Sequence, residues 1–180
     1  AIVAQGGSQI PVVSSFGGAQ VAAQAGFQDV TVLAPGERWQ RGGLTIQATV
    51  GAPTGATVRE NGYLVRSEDG SLYYEPHGYP DPQLAGPVDV AIVPVVNLKL
   101  PGLGSVIRGQ EVALATAQRL QPQALIPTAA GGDLEIAGWL PRFLQEEGTI
   151  AQMQAALVAA GLSTRVIAVA PGEPLPWQPV

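Results

Sequence analysis

This 180-residue sequence predicts an α/β fold in which a mixed sheet is flanked by helices. Three observations lead there. A β-α-β pattern opens the chain, a stretch of strict period-two alternation fills its middle, and a nearly all-aliphatic run gives way to helical periodicity in its last half.

Taken in order, Ile10 to Val13 reads as a short buried strand. Ser14 or Ser15 can cap the helix that follows, from about Gly17 to Ala25, because a hydroxyl accepts from the free N–H groups of a first turn. Val21, Ala22 and Ala25 form its apolar face, and Gly26 can take the left-handed conformation that ends it. Val30 to Leu33 is the next strand, so the unit favours parallel strands joined by a right-handed crossover. Pro35-Gly36 is a turn. Leu44, Ile46, Ala48 and Val50 then alternate with polar residues as in a half-buried strand. Asn61-Gly62 reads first as a turn. Tyr63 to Arg66 and Leu72 to Glu75 are two strands joined through Asp69-Gly70, a strong hairpin signal.

Val88 to Val95 is aliphatic on both faces and reads as a central strand. Asn97 to Gly109, rich in glycine and proline, reads as a loop or lid. A helix from about Gln110 to Leu120 stops before Pro122, and Ala124 to Ile126 is another buried strand. Trp139 to Glu146 looks helical. Thr149 opens a further helix with Gln152 at the spacing of a capping box, and Ile150, Met153, Leu157 and Ala160 form its buried stripe. Gly161 ends it, and Arg165 to Val169 is the last strand. Residues 1–170 thus form one domain, and the proline-rich residues 171–180 form an extended surface tail.

Composition excludes several functions. The formal net charge is −5, with nine basic residues spread thinly and no basic stripe to neutralise phosphates, so no nucleic-acid partner is expected. No apolar run is long enough to span a bilayer, and the start lacks the charged region of a signal peptide, so a cytoplasmic protein is expected. There is no cysteine, which removes disulfides, thiolate metal ligands and a thiol nucleophile. One histidine leaves a single imidazole for any metal.

The densest polar cluster is the run from Tyr73 to Asp81, at the C-terminal end of a strand, where sites in α/β folds are usually built. Glu75 and His77 are the candidate proton-transfer pair, and His77 is also the candidate metal ligand. The alternative is that both satisfy hydrogen bonds within the loop. Tyr79 and Asp81 are candidate substrate-binding groups from the same loop, with Asn61 at its edge. The small-residue run from Pro127 to Asp133 also follows a strand. It lets a ligand or another loop approach the backbone, with Thr128 as a binding group and Asp133 as a catalytic group at the rim. Gly102 to Gly109 departs from both glycine-rich phosphate-binding patterns, and no G-x-S-x-G elbow exists.

Several of these segments occur in an order and spacing that resemble metallo-β-lactamase-fold metal-dependent hydrolases. They are Pro11 to Ser15, Val30 to Gly36, Leu44 to Gly51, Glu60 to Tyr63, Leu72 to Gly78, Val88 to Leu100 and Leu125 to Asp133. The phrases LYYEPHG and PTAAGGD look most like a cyanobacterial and plastid branch. The resemblance implies an αββα sandwich, of which this chain is largely the C-terminal part. It also implies a metallo-hydrolase acting on an ester, lactone or phosphoester, with zinc or another divalent metal held chiefly by an H-x-H-x-D-H motif in the first half. The chain begins just after where that motif is expected. The family's Gly-Asp falls at Pro76-His77 or Glu75-Pro76, and its late histidine falls at Thr128 or Ala129, so both are replaced. A metal would therefore need ligands from outside these residues. The alternative is a non-catalytic binding or assembly protein of the same fold, with a small-molecule ligand or a homodimer across an uncovered apolar sheet face.

Overall fold

The protein is described by a computed structural model covering residues 2–53, 59–102, 104–128, 145–170 and 172–176, without the Val106 side chain. After two single turns of 3-10 helix, the β-α-β unit forms as expected: β1 (Val12–Ser14), α1 (Phe16–Gln24) and β2 (Val30–Val32). β1 and β2 pair in parallel as a separate two-stranded sheet. The main sheet has seven strands. They are β3 (Arg38–Arg41), β4 (Leu44–Pro53), β5 (Arg59–Ser67), β6 (Gly70–Tyr74), β7 (Val90–Val93), β10 (Ala124–Pro127) and β12 (Arg165–Val166). Across the sheet they run β12-β10-β7-β6-β5-β4-β3. β3 to β6 are antiparallel neighbours, and β6, β7, β10 and β12 are parallel, so the sheet is mixed. A third, antiparallel sheet joins β8 (Asn97–Leu100), β9 (Gly104–Ile107) and β11 (Gln145–Glu147).

One face of the main sheet carries the core. Leu64, Tyr73, Val93 and Leu125 pack against α2 (Gln110–Leu120) and α3 (Ile150–Ala159). α2 presents Ala113, Thr116, Ala117 and Leu120 at spacings of three and four, the stripe a helix needs to lie on a sheet. Its last turn closes through Gln121 in the left-handed region (φ 45°), directly before Pro122. α3 is capped as its sequence predicts, with Thr149 Oγ1 accepting from the Gln152 N–H at 3.1 Å. Met153 and Leu157 are fully buried on its inner side, each worth roughly 1.5–3 kcal/mol of transfer free energy.

The opposite face is only partly covered. Val65, Leu72, Val90, Ile92 and Ile126 form an apolar groove there, with Leu175 of the tail against it. At the far end of that face Asn61, inside β5, donates from Nδ2 to the Leu33 carbonyl at 2.8 Å and ties β5 to the end of β2. Among the described residues no helix is long and apolar enough to cross a membrane.

Several expectations are corrected, and one strand was not expected. Asn61-Gly62 is not a turn but lies within β5, opposite Val50 and Thr49. Residues 97–109 are not a plain loop but carry the β8–β9 hairpin. Arg38–Arg41 is a strand that its short polar sequence does not announce, closed on β4 through Gly42 and Gly43, both at positive φ. Val21 of α1 points to solvent, 66% exposed, and Ala160 is likewise outside the core. Gln145–Glu147 is extended, not helical; Trp139 to Leu144 of that predicted helix lie outside the described residues.

Candidate functional site

β6 ends at Tyr74, and the next residue turns the chain inward. The Glu75 side chain is 1% exposed, and its carboxylate accepts three backbone N–H groups in succession. The His77 N–H reaches Oε1 at 3.1 Å; the Gly78 and Tyr79 N–H groups reach Oε2 at 2.6 and 2.7 Å. A buried charge persists only when hydrogen bonds replace its lost hydration, and here the loop itself supplies them. Pro76 stiffens the turn, and Gly78 completes it at φ +81°. No other residue fits there, because a Cβ at Gly78 would sit 1.7 Å from the Arg108 carbonyl oxygen. The Arg108 N–H in turn donates to the His77 carbonyl at 3.1 Å.

His77 faces outward beside Glu60. Its Nδ1 lies 2.9 Å from Glu60 Oε2, too poorly aligned for a hydrogen bond. The two side chains are 36% and 43% exposed, so the contact is a solvent-screened one. Thr128, at the end of β10, donates to the Val93 carbonyl through its backbone and approaches the Pro76 carbonyl with Oγ1 at 3.4 Å. Tyr79 packs under the Arg108 guanidinium, 5.4 Å from ring centroid to Cζ. Asp81 is fixed by the Val50 N–H on Oδ2 at 3.1 Å and the Gln83 N–H on Oδ1 at 2.8 Å.

The fold therefore gathers Glu75, His77, Tyr79, Asp81 and Thr128 around one loop. It places Asn61 on the adjoining strand but commits its amide to Leu33. Asp133 lies outside the described residues. Beneath the loop, Tyr73 is fully buried, and neither its hydroxyl nor Thr49 Oγ1 beside it makes a well-formed hydrogen bond. Burial pushes the Tyr73 phenol well above its usual pKa of 10.0, and the Glu75 charge adds to the shift. Burial also raises Tyr74, with Glu60 and Glu75 adding to it.

Sequence reasoning missed Glu60, which meets His77 just beyond the end of the β5–β6 pairing, and Arg108, whose backbone closes the loop. It also missed a cavity of about 830 Å³ beside the loop, lined by Tyr79 and Asp81 together with Arg38, Arg59 and Arg66. Glu60 directly precedes Asn61-Gly62, which the sequence reads as a turn, and nothing in that reading pointed to His77.

Among solved structures, three similar folds illustrate the relationship. CmlA, a diiron β-hydroxylase from Streptomyces venezuelae, superposes with a TM-score of 0.62 at 11% identity; 88% of this chain covers 38% of that one. The isothiocyanate hydrolase from Delia radicum gut bacteria gives 0.59 at 16% identity, with 98% of this chain covering 71% of that one. The metallo-β-lactamase fold protein YhfI from Bacillus subtilis gives 0.58 at 11% identity, with 91% covering 63%. The chain thus spans well under half of CmlA and less than two thirds of YhfI. At these identities the likeness concerns the fold alone. No curated protein matches the sequence. The family model described as the beta-lactamase superfamily domain matches residues 12–129, most of the chain. The mixed sheet with its flanking helices agrees with that match, and the chain belongs to the beta-lactamase superfamily with the metallo-β-lactamase fold.

Proposed function

We propose that this chain is a metallo-hydrolase-like domain whose metal site is degenerate, and that it binds a small molecule rather than hydrolysing one with its own residues. The hydrolase-like fold is shared with its neighbours. The donor set of the described residues does not fit the metal that the family implies. His77 is the sole imidazole of the chain. Glu75 has both oxygens committed to backbone N–H groups, and no three His, Asp or Glu side chains converge among the described residues. A tetrahedral site needs three or four ligands.

The observation that carries this reading is the Glu75 carboxylate. A metal-bridging or proton-transferring carboxylate must present an oxygen to the ligand, whereas this one is wrapped by residues 77–79. The expected catalytic pair is thus a loop anchor, Glu75, beside a half-exposed imidazole, His77. If ligands from outside these residues joined His77, the second reading would stand: hydrolysis of an ester, lactone or phosphoester.

A hydrolysis panel separates the two. p-Nitrophenyl acetate, a γ-lactone and bis(p-nitrophenyl) phosphate are incubated with the protein in the presence of Zn²⁺, Mn²⁺ or Fe²⁺. The expected result is a rate equal to that of protein-free buffer. Metal-dependent turnover abolished by His77→Ala would overturn the reading.

A further inference from the structure

The cavity beside the loop has a charge pattern out of keeping with the rest of the chain. The protein is acidic, yet three of its nine basic residues line this one space of about 830 Å³. Its volume lies within the range of small-ligand sites. The sheet register explains how residues far apart in sequence meet there. Arg38 on β3 lies opposite Gln47 on β4, Gln47 opposite Leu64 on β5, and Thr45 opposite Arg66. Arg38 and Arg66 therefore project from the same face of the sheet, with β4 between them. Arg59 enters from the start of β5. Residues 79–85 form the other wall, which Asp81 pins to β4 through the Val50 N–H.

No ion pair among the described residues neutralises the three guanidiniums. Among the described residues the ion pairs are Arg41–Asp29, His77–Glu60 and Lys99–Glu147, none of which includes them. Among the described residues, Arg38 donates to the Gln47 side chain at 3.2 Å, and Arg59 to the Gly51 carbonyl at 3.4 Å. Each leaves further guanidinium N–H groups without a partner among the described residues. Asp81 is the one carboxylate among the described lining residues, so they carry three cations against one anion. Like charges gathered around a concave space repel one another unless an anion joins them, and the space concentrates anions of complementary charge. Guanidinium forks match the paired oxygens of phosphate and carboxylate. The remaining wall is rigid and partly apolar, built by Pro35, Pro80, Pro82, Leu64 and Leu84, and accepts a compact organic body.

We propose that this cavity binds a small organic dianion, such as a phosphate monoester or a compact dicarboxylate, through Arg38, Arg59 and Arg66. The site holds whether or not the loop at Glu75 and His77 ever meets a metal, so its fate is separate from the reading above.

The test is calorimetric titration of the full chain at low ionic strength with phenyl phosphate, phthalate and, as a neutral control, benzyl alcohol. Saturable binding of a dianion is expected, with no saturable binding of benzyl alcohol. Added salt weakens it, because the contacts lie at a solvent-open wall. Arg38→Gln and Arg66→Gln each weaken binding about tenfold or more, the loss of a charge-assisted contact. Arg41→Gln, outside the cavity and paired with Asp29, leaves affinity unchanged. All three arginines of the wall are exposed, so these variants keep their fold, which an unchanged melting temperature verifies. Three results would overturn the proposal: no saturable binding of either dianion, equal binding of benzyl alcohol, or affinity unaltered in the Arg38→Gln/Arg66→Gln double variant.

Discussion

The loop from Glu75 to Tyr79 and the wall of Arg38, Arg59 and Arg66 are neighbours that use charge in opposite ways. The loop buries one carboxylate and answers it at once with three N–H groups of its own backbone. The wall leaves three guanidiniums at the surface with no carboxylate in an ion pair among the described residues. A charge satisfied inside the fold holds the fold; a charge left unsatisfied around a concave space is available to a ligand. The residues that look most catalytic in the sequence belong to the first kind. Those that sequence reasoning passed over belong to the second.

If this contrast holds, substitutions in the loop should cost stability in proportion to what each residue does there. The largest effect is expected at Gly78. Gly78→Ala drives a Cβ into the Arg108 carbonyl at a positive φ, and we expect a loss above about 3 kcal/mol, read as a shift in the urea midpoint. Glu75→Gln keeps the shape but removes the charge that three N–H groups share. A loss of about 2–3 kcal/mol is expected in the same measurement. His77→Ala, which breaks only a half-exposed contact with Glu60, should cost less than about 1 kcal/mol. Equal costs for Glu75→Gln and His77→Ala would erase the distinction drawn within the loop.

The smallest effect is expected at Tyr73. Its hydroxyl is buried without a well-formed hydrogen bond, so Tyr73→Phe should change stability at neutral pH by less than about 1 kcal/mol. High pH separates the variants more clearly. The folded-state pKa is raised above the ordinary 10.0 by burial, so the native state holds its proton more tightly than the unfolded chain does. The stability this contributes is present below about pH 10 and is lost as pH rises beyond it. Tyr73→Phe should therefore flatten the alkaline decline in melting temperature, and parallel curves would contradict the burial argument.

Much of the scaffold was legible in the sequence. α2 and α3 follow from their periodicity and from the Thr149 cap, and β4 from strict alternation. These elements are specified locally. What stayed hidden is specified by distant partners. Gly62 reads as a turn residue beside Asn61, yet it sits within β5, where glycine is needed because a Cβ would lie 2.5 Å from Thr49 Oγ1 and 3.2 Å from the Tyr74 carbonyl oxygen. β8 and β9 were hidden by Pro101 and Gly102, which mark the hairpin turn, and by Gly104, which opens β9 at positive φ. Val21 was assigned inward on periodicity, but the weakly covered β1–α1–β2 unit buries only Ala19 of its helix. Glu75 and His77 stood out as a polar cluster. Nothing in their spacing told that the carboxylate would curl back onto its own loop. The arginine wall was invisible because residues 38, 59 and 66 meet only through the β3–β4–β5 register.

The central claim is that this superfamily fold lacks, in its own described residues, the donors for a tightly held metal. Titration of Zn²⁺ into chelator-stripped protein tests it most directly, with the wild type and His77→Ala compared by calorimetry. The account predicts weak, indistinguishable isotherms with Kd above about 10 μM, as for scattered surface carboxylates. A stoichiometric site of nanomolar affinity that vanishes in His77→Ala would contradict it.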